Sequence, residues 1–353
     1  MRYVRLTVER LDRPRLEHVA EGLCELDWRV RKRRVPPEFW QWLYFENPAG
    51  DAVAMIAYHE GRPVGRFERI PIRMVVDGES VGAELLQGLT LDREFRQWTH
   101  YRRLVGGALC EEHGERPAFS FGFATSIFAR QHHSLGEPAL GRVPVLAAVL
   151  DGKAMLRGRG VPPLVSAAAG PLAQALFRWR PRPAPTNIEI REISEFPEES
   201  GSFQHPPALR GKVALQKDRT YLNWRYAQCP RAGYRRLAAW RGGQLCGFLV
   251  WRSDQIGGNG WILELSARND DGDTLSALLG AARAEMQLAR TGLAMASFPE
   301  GGAAARVLRR AGFAGLATRW KNLSLIVVPG PSNYPAVSDR AAWTHSMGDW
   351  LYH

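Results

Sequence analysis

The sequence predicts an α/β (α+β) protein of two tandem modules, each a mixed, mostly antiparallel sheet flanked by helices. Three observations predict it. The chain has 353 residues, more than one ordinary core accommodates. Its content of 45% hydrophobic, 24% charged and 10% aromatic residues is that of a folded globular protein. And the chain repeats itself: 39–67 reads FWQWLYFENPAGDAVAMIAYHEGRPVGRF, and 220–248 reads TYLNWRYAQCPRAGYRRLAAWRGGQLCGF. Trp42, Tyr44, Pro48 and Gly65 match Trp224, Tyr226, Pro230 and Gly247 at a constant offset of 182 residues.

The elements follow in order. Asp12-Arg13-Pro14 starts a helix whose apolar face is Leu16, Val19, Leu23 and Leu26. The Trp and Tyr of each copy, followed by a Pro, read as core anchors on a turn leading into a strand. A strand at 53–58, the turn His59-Glu60-Gly61-Arg62 and a strand at 64–67 make a hairpin. The second copy repeats it with 236–240, Arg241-Gly242-Gly243-Gln244 and 245–251. Strands at 81–91 and 261–267 come next, then helices at about 101–113 and 274–290, the latter capped by Asp273 or Thr274. Strands at 118–124 and 293–297 lead to short helices that run into glycine, 129–135 and 303–311. NIEIREI at 187–193 alternates as a strand and opens the second copy.

The expected division is therefore an N-terminal module at 1–150, a linker with a short helix at 151–186, and a C-terminal module at 187–353. In the linker, Pro162, Pro163, Gly170 and Pro171 interrupt an apolar run, and RPRPAP at 180–185 is an extended spacer. Leu164 to Trp179 is short of charge and flanked by arginine; a helix packed between the modules is preferred to one lying on a membrane surface. The aromatic-rich end, 341–353, is expected to pack back on the body.

The formal net charge of +11 comes largely from arginine clusters at 29–34, 102–103, 178–182, 235–236 and 309–310. Such an excess suits nucleic acid, anionic lipid, a phosphorylated ligand or simply a solvated surface, and the last is the reading taken. No helix-turn-helix, zinc-finger or RNP-like motif is present. Cys24, Cys110, Cys229 and Cys246 form no CxxC pair, which suggests neither a zinc site nor a disulfide framework. No apolar run reaches the ~20 residues of a membrane span, and the charged first residues do not read as a signal peptide. A cytoplasmic protein with reduced thiols is expected. HExxH, GxSxG, P-loop and Rossmann fingerprints are all missing from a supporting context.

Tyr221-Leu222-Asn223-Trp224-Arg225-Tyr226 resembles the YLNWRY signature of bacterial tandem proteins of the GCN5-related N-acetyltransferase (GNAT) family. Trp42-Leu43-Tyr44-Phe45-Glu46-Asn47-Pro48-Ala49-Gly50 is similar to it, and Met347-Gly348-Asp349 is similar to the usual ending of those proteins. The resemblance covers nearly the whole chain outside 151–186. It implies the tandem GNAT fold and an N-acyltransferase without a metal. The donor would be acetyl-CoA or another acyl-CoA, or an acyl carrier protein, and the acceptor a free or carrier-bound amine.

Family members place Arg/Gln-x-x-Gly-x-Gly/Ala after the fourth strand, at a helix start, where small residues let backbone N–H groups converge on a pyrophosphate. Carried onto this chain, the cofactor-binding positions are Leu89, Thr90, Leu91, Arg96, Gln97, Trp98, Thr99, His100, Tyr101 and Arg102. The arginine is kept, while Thr99 and Tyr101 stand where the glycines should be. Arg93, His100, Arg102 and Arg103 keep the loop basic, so an anion would be held there by side chains. The second loop, Ala267-Arg268-Asn269-Asp270-Asp271-Gly272-Asp273, carries three aspartates that repel a pyrophosphate. The first module is thus the expected catalytic one.

Transfer to an amine needs a base for the ammonium proton and a donor to the departing thiolate. The resemblance puts the base on the fourth strand, at Glu84, with Glu264 in a similar place in the second module. Apolar neighbours would raise the pKa of Glu84; solvent exposure or pairing with an arginine is the bland alternative. The donor, commonly a Tyr in the family, is taken here as His132, among Ser126, His132 and His133, with Tyr101 as the alternative. Two other readings remain. A Fem-like aminoacyl transferase using charged tRNA shares the tandem fold and suits the arginine excess. A non-catalytic tandem module that binds a partner suits two degraded cofactor loops.

Overall fold

The computed structural model describes residues 6–110, 117–124, 139–176, 178–180, 187–204, 212–231, 233–254, 258–315, 324–331 and 334–350. The helix expected at 129–135 lies outside the described residues. The chain opens with β1 (Thr7–Arg10) and α1 (Arg13–Arg31). The Asp12 side chain accepts from the Arg15 N–H and Pro14 occupies the first turn, the start that Asp-Arg-Pro predicts. α2 (Glu38–Phe45) carries Trp42 and Tyr44 on a helix, not on the expected turn. Phe39, Trp40, Trp42, Leu43, Tyr44 and Phe45 are all buried, and a helix apolar on every side belongs inside a core.

β2 (Val53–His59), β3 (Arg62–Val76), β4 (Glu79–Leu91), α3 (Trp98–Cys110), β5 (Phe119–Ala124), β6 (Ala139–Arg142) and β7 (Leu146–Val149) follow. α4 (Gly152–Arg157) and α5 (Pro163–Leu176) lead to β8 (Glu189–Glu192), β9 (Val213–Leu215) and α6 (Arg219–Leu222), which widens into a π-type turn, Asn223–Ala227. The rest is β10 (Tyr234–Arg241), β11 (Gln244–Ser253), β12 (Asn259–Ala267), α7 (Gly272–Leu288), β13 (Leu293–Ala296), α8 (Ala303–Arg310), β14 (Ala314–Gly315) and β15 (Ser324–Pro329). Among the described residues no helix is long and apolar enough to cross a membrane.

Two mixed, mostly antiparallel sheets result, β1-β2-β3-β4-β5-β15-β6 and β14-β7-β13-β12-β11-β10-β8, with β9 added beside β3. β4–β5 and β12–β13 are the parallel pairs among their named strands. Each sheet takes in strands from the far half of the chain, β9 and β15 in the first and β7 in the second. β15 lies between β5 and β6, and β7 lies between β13 and β14. A division of the sequence at 150 does not reveal this exchange.

A single core fills the space between the sheets and gathers Trp40, Trp42, Trp224, Tyr226, Trp343 and Trp350. α3 covers the outer face of the first sheet, with its Leu104 and Val105 against Phe67, while α7 and α8 cover that of the second. At the centre the Trp42 and Trp224 rings stack, with centroids 4.7 Å apart. Trp42 Nε1 donates to the Trp224 carbonyl at 2.9 Å, and Trp224 Nε1 donates to the Trp42 carbonyl at 3.4 Å. Matched residues that touch each other reciprocally mark a local two-fold axis. The repeat in the sequence is therefore a pseudo-dyad in space. The C-terminal stretch does pack back, through Trp343 and Trp350, whereas α5 leans on α4 and not between the modules as expected.

Candidate functional site

β4 and β5 pair only through Glu84↔Ser120 and Leu85↔Phe121. Beyond Leu85, β4 runs on to Leu91 with β3 on one side and, among the described residues, no strand on the other. The two parallel strands thus fork. The ladder with β3 breaks between Arg66 and Glu68, where Gly88 takes φ 74°. Its Cα lies against the Glu68 carboxylate, so only glycine has room for this bulge.

Past the open end of the fork the chain turns into α3. Arg93, Arg96, Trp98, Thr99 and Arg102 are exposed, and the first turn of α3 contains no acidic residue. First-turn N–H groups have no partner inside their helix and form its positive end. Arg96 Nε donates to the Leu91 carbonyl at 3.1 Å and so ties the loop to the strand end. The structure therefore joins Arg96 to Leu91 and leaves Arg96, Trp98, Thr99 and Arg102 exposed beside the strand end, while the Thr90 and Leu91 side chains are buried. His100 and Tyr101 face inward. The His100 ring is fully buried, with Nδ1 3.0 Å from the Phe95 carbonyl oxygen. Tyr101 sits in the core beside Leu104, under the half-exposed Trp98 ring.

The basic run at 29–34 lies across the end of β4. Arg31 Nε donates to Thr90 Oγ1 at 3.1 Å and its Nη2 to the Leu89 carbonyl at 3.2 Å. Arg29 pairs with Asp92 at 2.9 Å and Arg33 pairs with Asp27. These three arginines are committed to partners within the protein.

Glu84 stands lower on β4, at the closed end of the fork. Arg69 grips it with Nε and Nη2, both at 2.8 Å, and Ser120 Oγ donates to it at 3.1 Å. Arg69 also reaches the Ala108 carbonyl on α3. The observed environment of Glu84 is the arginine pair. His132, with Ser126 and His133, lies outside the described residues. Glu264, expected in a place similar to that of Glu84, is not level with it. It pairs with Val250, three residues past Gly247; three residues past Gly65 lies Glu68, which pairs with Gln87.

That register exposes two clusters that the sequence reading missed. Tyr44 Oη donates to Glu68 Oε1 at 2.8 Å, Glu68 pairs with Arg66, and Arg66 pairs with Asp27 at 2.6 Å, all buried. Burial alone pushes the Asp27 carboxyl up; Arg66, Arg33 and Arg31 reverse this and hold it well below the usual carboxylate range. In the second module Tyr226 Oη donates to Glu264 Oε1 at 2.7 Å. Lys217 lies 2.8 Å from Glu264 and 2.6 Å from Asp349. Burial works against the Lys217 charge, but Asp349 and Glu264 outweigh it and keep the ammonium protonated. Each matched tyrosine thus meets a carboxylate at the same cross-strand pair, carried by β3 in one module and by β12 in the other. Laying the chain on itself aligns the tyrosines and misses the acids, because the acid changes strand.

The start of α7 differs from that of α3. Asp271 accepts from the Asp273 N–H at 3.2 Å and from Thr274 Oγ1 at 2.6 Å, and pairs with Arg241 at 2.9 Å. The cap is Asp271, not Asp273 or Thr274 as expected. Its carboxylate already occupies the positive end where an anion would bind. Among the described residues no group of three or more His, Cys, Asp or Glu is arranged to hold a metal ion.

No family model and no curated protein matches the chain. Solved structures do. A tandem GNAT protein from the clavulanic acid biosynthesis pathway, without AcCoA, has a TM-score of 0.58 at 15% identity, over 93% of this chain and 100% of its own. Saccharomyces cerevisiae N-myristoyltransferase with bound myristoyl-CoA has 0.59 at 10% identity, over 95% of this chain and 81% of that one. A GCN5-related N-acetyltransferase from Anabaena variabilis has 0.57 at 10% identity, over 92% and 72%. At such identities the likeness is one of fold.

Proposed function

We propose, starting from the tandem GNAT fold that this chain has, that it is an N-acyltransferase whose first module takes an acyl-CoA as donor. The observation that carries this reading is the inequality of the two helix starts. α3 begins with exposed Arg93, Arg96 and Arg102 around a first turn free of acid, whereas α7 begins on the Asp271 carboxylate. Structural likeness to a tandem GNAT protein and to an enzyme crystallised with myristoyl-CoA supports it. So does the inward turn of Tyr101, since the residue at the second glycine position does not fill the open side of the loop. Arginine side chains would meet the pyrophosphate in place of a glycine-rich backbone cradle. The acyl arm would follow the unpaired edge of β4 past Leu85.

In the reaction the amine nitrogen attacks the thioester carbonyl carbon, the C–S bond breaks, and CoA leaves as the thiol once a proton reaches sulfur. In this reading Glu84, locked to Arg69, braces the fork and is not the base. His132, which stands in for the tyrosine usual in the family, would be the donor to the thiolate. Binding of acetyl-CoA or a longer acyl-CoA is expected to raise the melting temperature by several degrees, as binding to the native state alone must. The double variant Arg96→Ala/Arg102→Ala is expected to lose most of that rise. No rise with any acyl-CoA or acylated carrier protein would overturn the proposal.

A partner-binding module without catalysis is the second reading. Trp98 favours it, because a 43% exposed ring stacked on Tyr101 offers a partner an apolar surface at the mouth of the loop. Calorimetric titration with CoA separates the two, since heat of binding belongs to the first reading alone.

A further inference from the structure

α5 is assembled inside out. Its inward side carries Ser166, fully buried, Gly170, backed against Gly152 of α4, and Gln174, whose amide donates to the Leu150 carbonyl at 2.9 Å. Its outward side carries Leu164, Val165 and Leu172, which are 87%, 53% and 65% exposed, with Ala168, Pro171 and Ala175 between them. A surface helix normally turns its leucines to the core, and a contiguous apolar face left in water marks a contact site. Another exposed leucine, Leu288 at 85%, ends α7, and Gly292 just after it packs on Met155 of α4. The same end of the molecule therefore presents both.

Charge identifies the occupant. From 152 to 188 the chain has no Asp or Glu, and its basic residues are Lys153, Arg157, Arg159, Arg178, Arg180 and Arg182. The described five are exposed, and among the described residues none of them pairs with a carboxylate. A second copy of this face would bring arginine against arginine, so self-association is disfavoured. An anionic bilayer offers both things the face lacks, an apolar phase for the leucines and negative headgroups for the arginines. With 14 residues α5 is about 21 Å long, too short to span the ~30 Å hydrocarbon layer and suited to lying in its surface. We propose that α5 docks this protein on anionic membrane surfaces, leaf-down on Leu164, Val165 and Leu172 with the arginines at headgroup level. The proposal is independent of the acyl-transfer reading.

Sedimentation of the full chain with vesicles tests it. The protein is expected to pellet with vesicles containing phosphatidylglycerol, less with pure phosphatidylcholine, and less again as salt rises. Leu164→Gln/Leu172→Gln is expected to lower the partition coefficient at least tenfold with unchanged circular dichroism and melting temperature, since both side chains already sit in water. Arg157→Gln/Arg159→Gln is expected to remove most of the preference for anionic lipid. Absence of pelleting with both vesicle types, or wild-type partition by the leucine variant, would overturn the proposal. So would a dimer in lipid-free sedimentation velocity that the leucine variant abolishes, because the face would then belong to a second copy.

Discussion

Glu84 and Arg69 meet where neither has water to fall back on, and their pair ties β3, β4 and α3 together at the closed end of the fork. Glu84→Gln leaves a buried guanidinium without its counter-charge, which costs about 3–5 kcal/mol. Chemical denaturation should register that loss. A variant with full stability and no turnover would return Glu84 to the role of base. His345 carries a second prediction. Its Nε2 has no hydrogen-bond partner among the described residues, and burial, with Arg340 and Lys217 adding to it and Asp349 opposing, brings its pKa down to about 4. The unfolded chain binds a proton below its ordinary pKa of about 6.5 while the folded one does not, so stability falls between those values, by about 3 kcal/mol at most. His345→Phe should flatten the stability profile between pH 7 and pH 4.5, and an unchanged slope would remove His345 from the account. Asp27 acts lower on the scale: its depressed pKa stabilises the fold above the ordinary carboxylate range and that share is lost only in stronger acid.

At the level of elements, the cap of α1 and the apolar periodicity are legible in the sequence, whereas the cap of α7 and buried charge are not. Asp12 and Pro14 announce α1 because the side-chain cap and the fixed proline φ act locally. β3 continues to Val76, well beyond the expected end at Phe67, because Arg66, Glu68 and Arg69 look like a polar turn until their partners from α1, α2 and β4 are known. α2 escapes the pattern and suggests a turn, because a helix buried on all sides has no polar face to give it a period. The candidate site divides the same way. The loop at 96–102 could be found from its place after a strand, but whether a side chain such as Tyr101 points in or out is decided by packing on α3. Asp271→Ala should cost about 1 kcal/mol, the usual worth of such a cap. Its melting temperature measures this; an unchanged value would mean that the Thr274 and Asp273 contacts are not holding the end of α7.

The whole molecule is held across its pseudo-dyad by the reciprocal Trp42–Trp224 contact, the shared core, the pairing of β9 with β3 and the exchange of β7 and β15. The repeat foretold two related modules, but strands as short as Leu146–Val149 carry too little pattern to say which sheet they join. Fragments 1–186 and 187–353 made separately should each be insoluble or unfolded, since each sheet then lacks an inner strand. Made together they should reassemble and melt in one transition. Two independently stable fragments would contradict the exchange.

The exchange also sets a timetable for synthesis. β5 and β6 leave the ribosome early, yet the strand that fits between them is Ser324–Pro329, which appears only after β7 to β14 have been made. Until then the first sheet has two open edges, the kind of surface on which nascent chains pair wrongly. Pairings so distant in sequence also fold slowly. The first half of this protein cannot be finished before the second, and a ribosome that stalls late strands an incomplete sheet, not a finished domain.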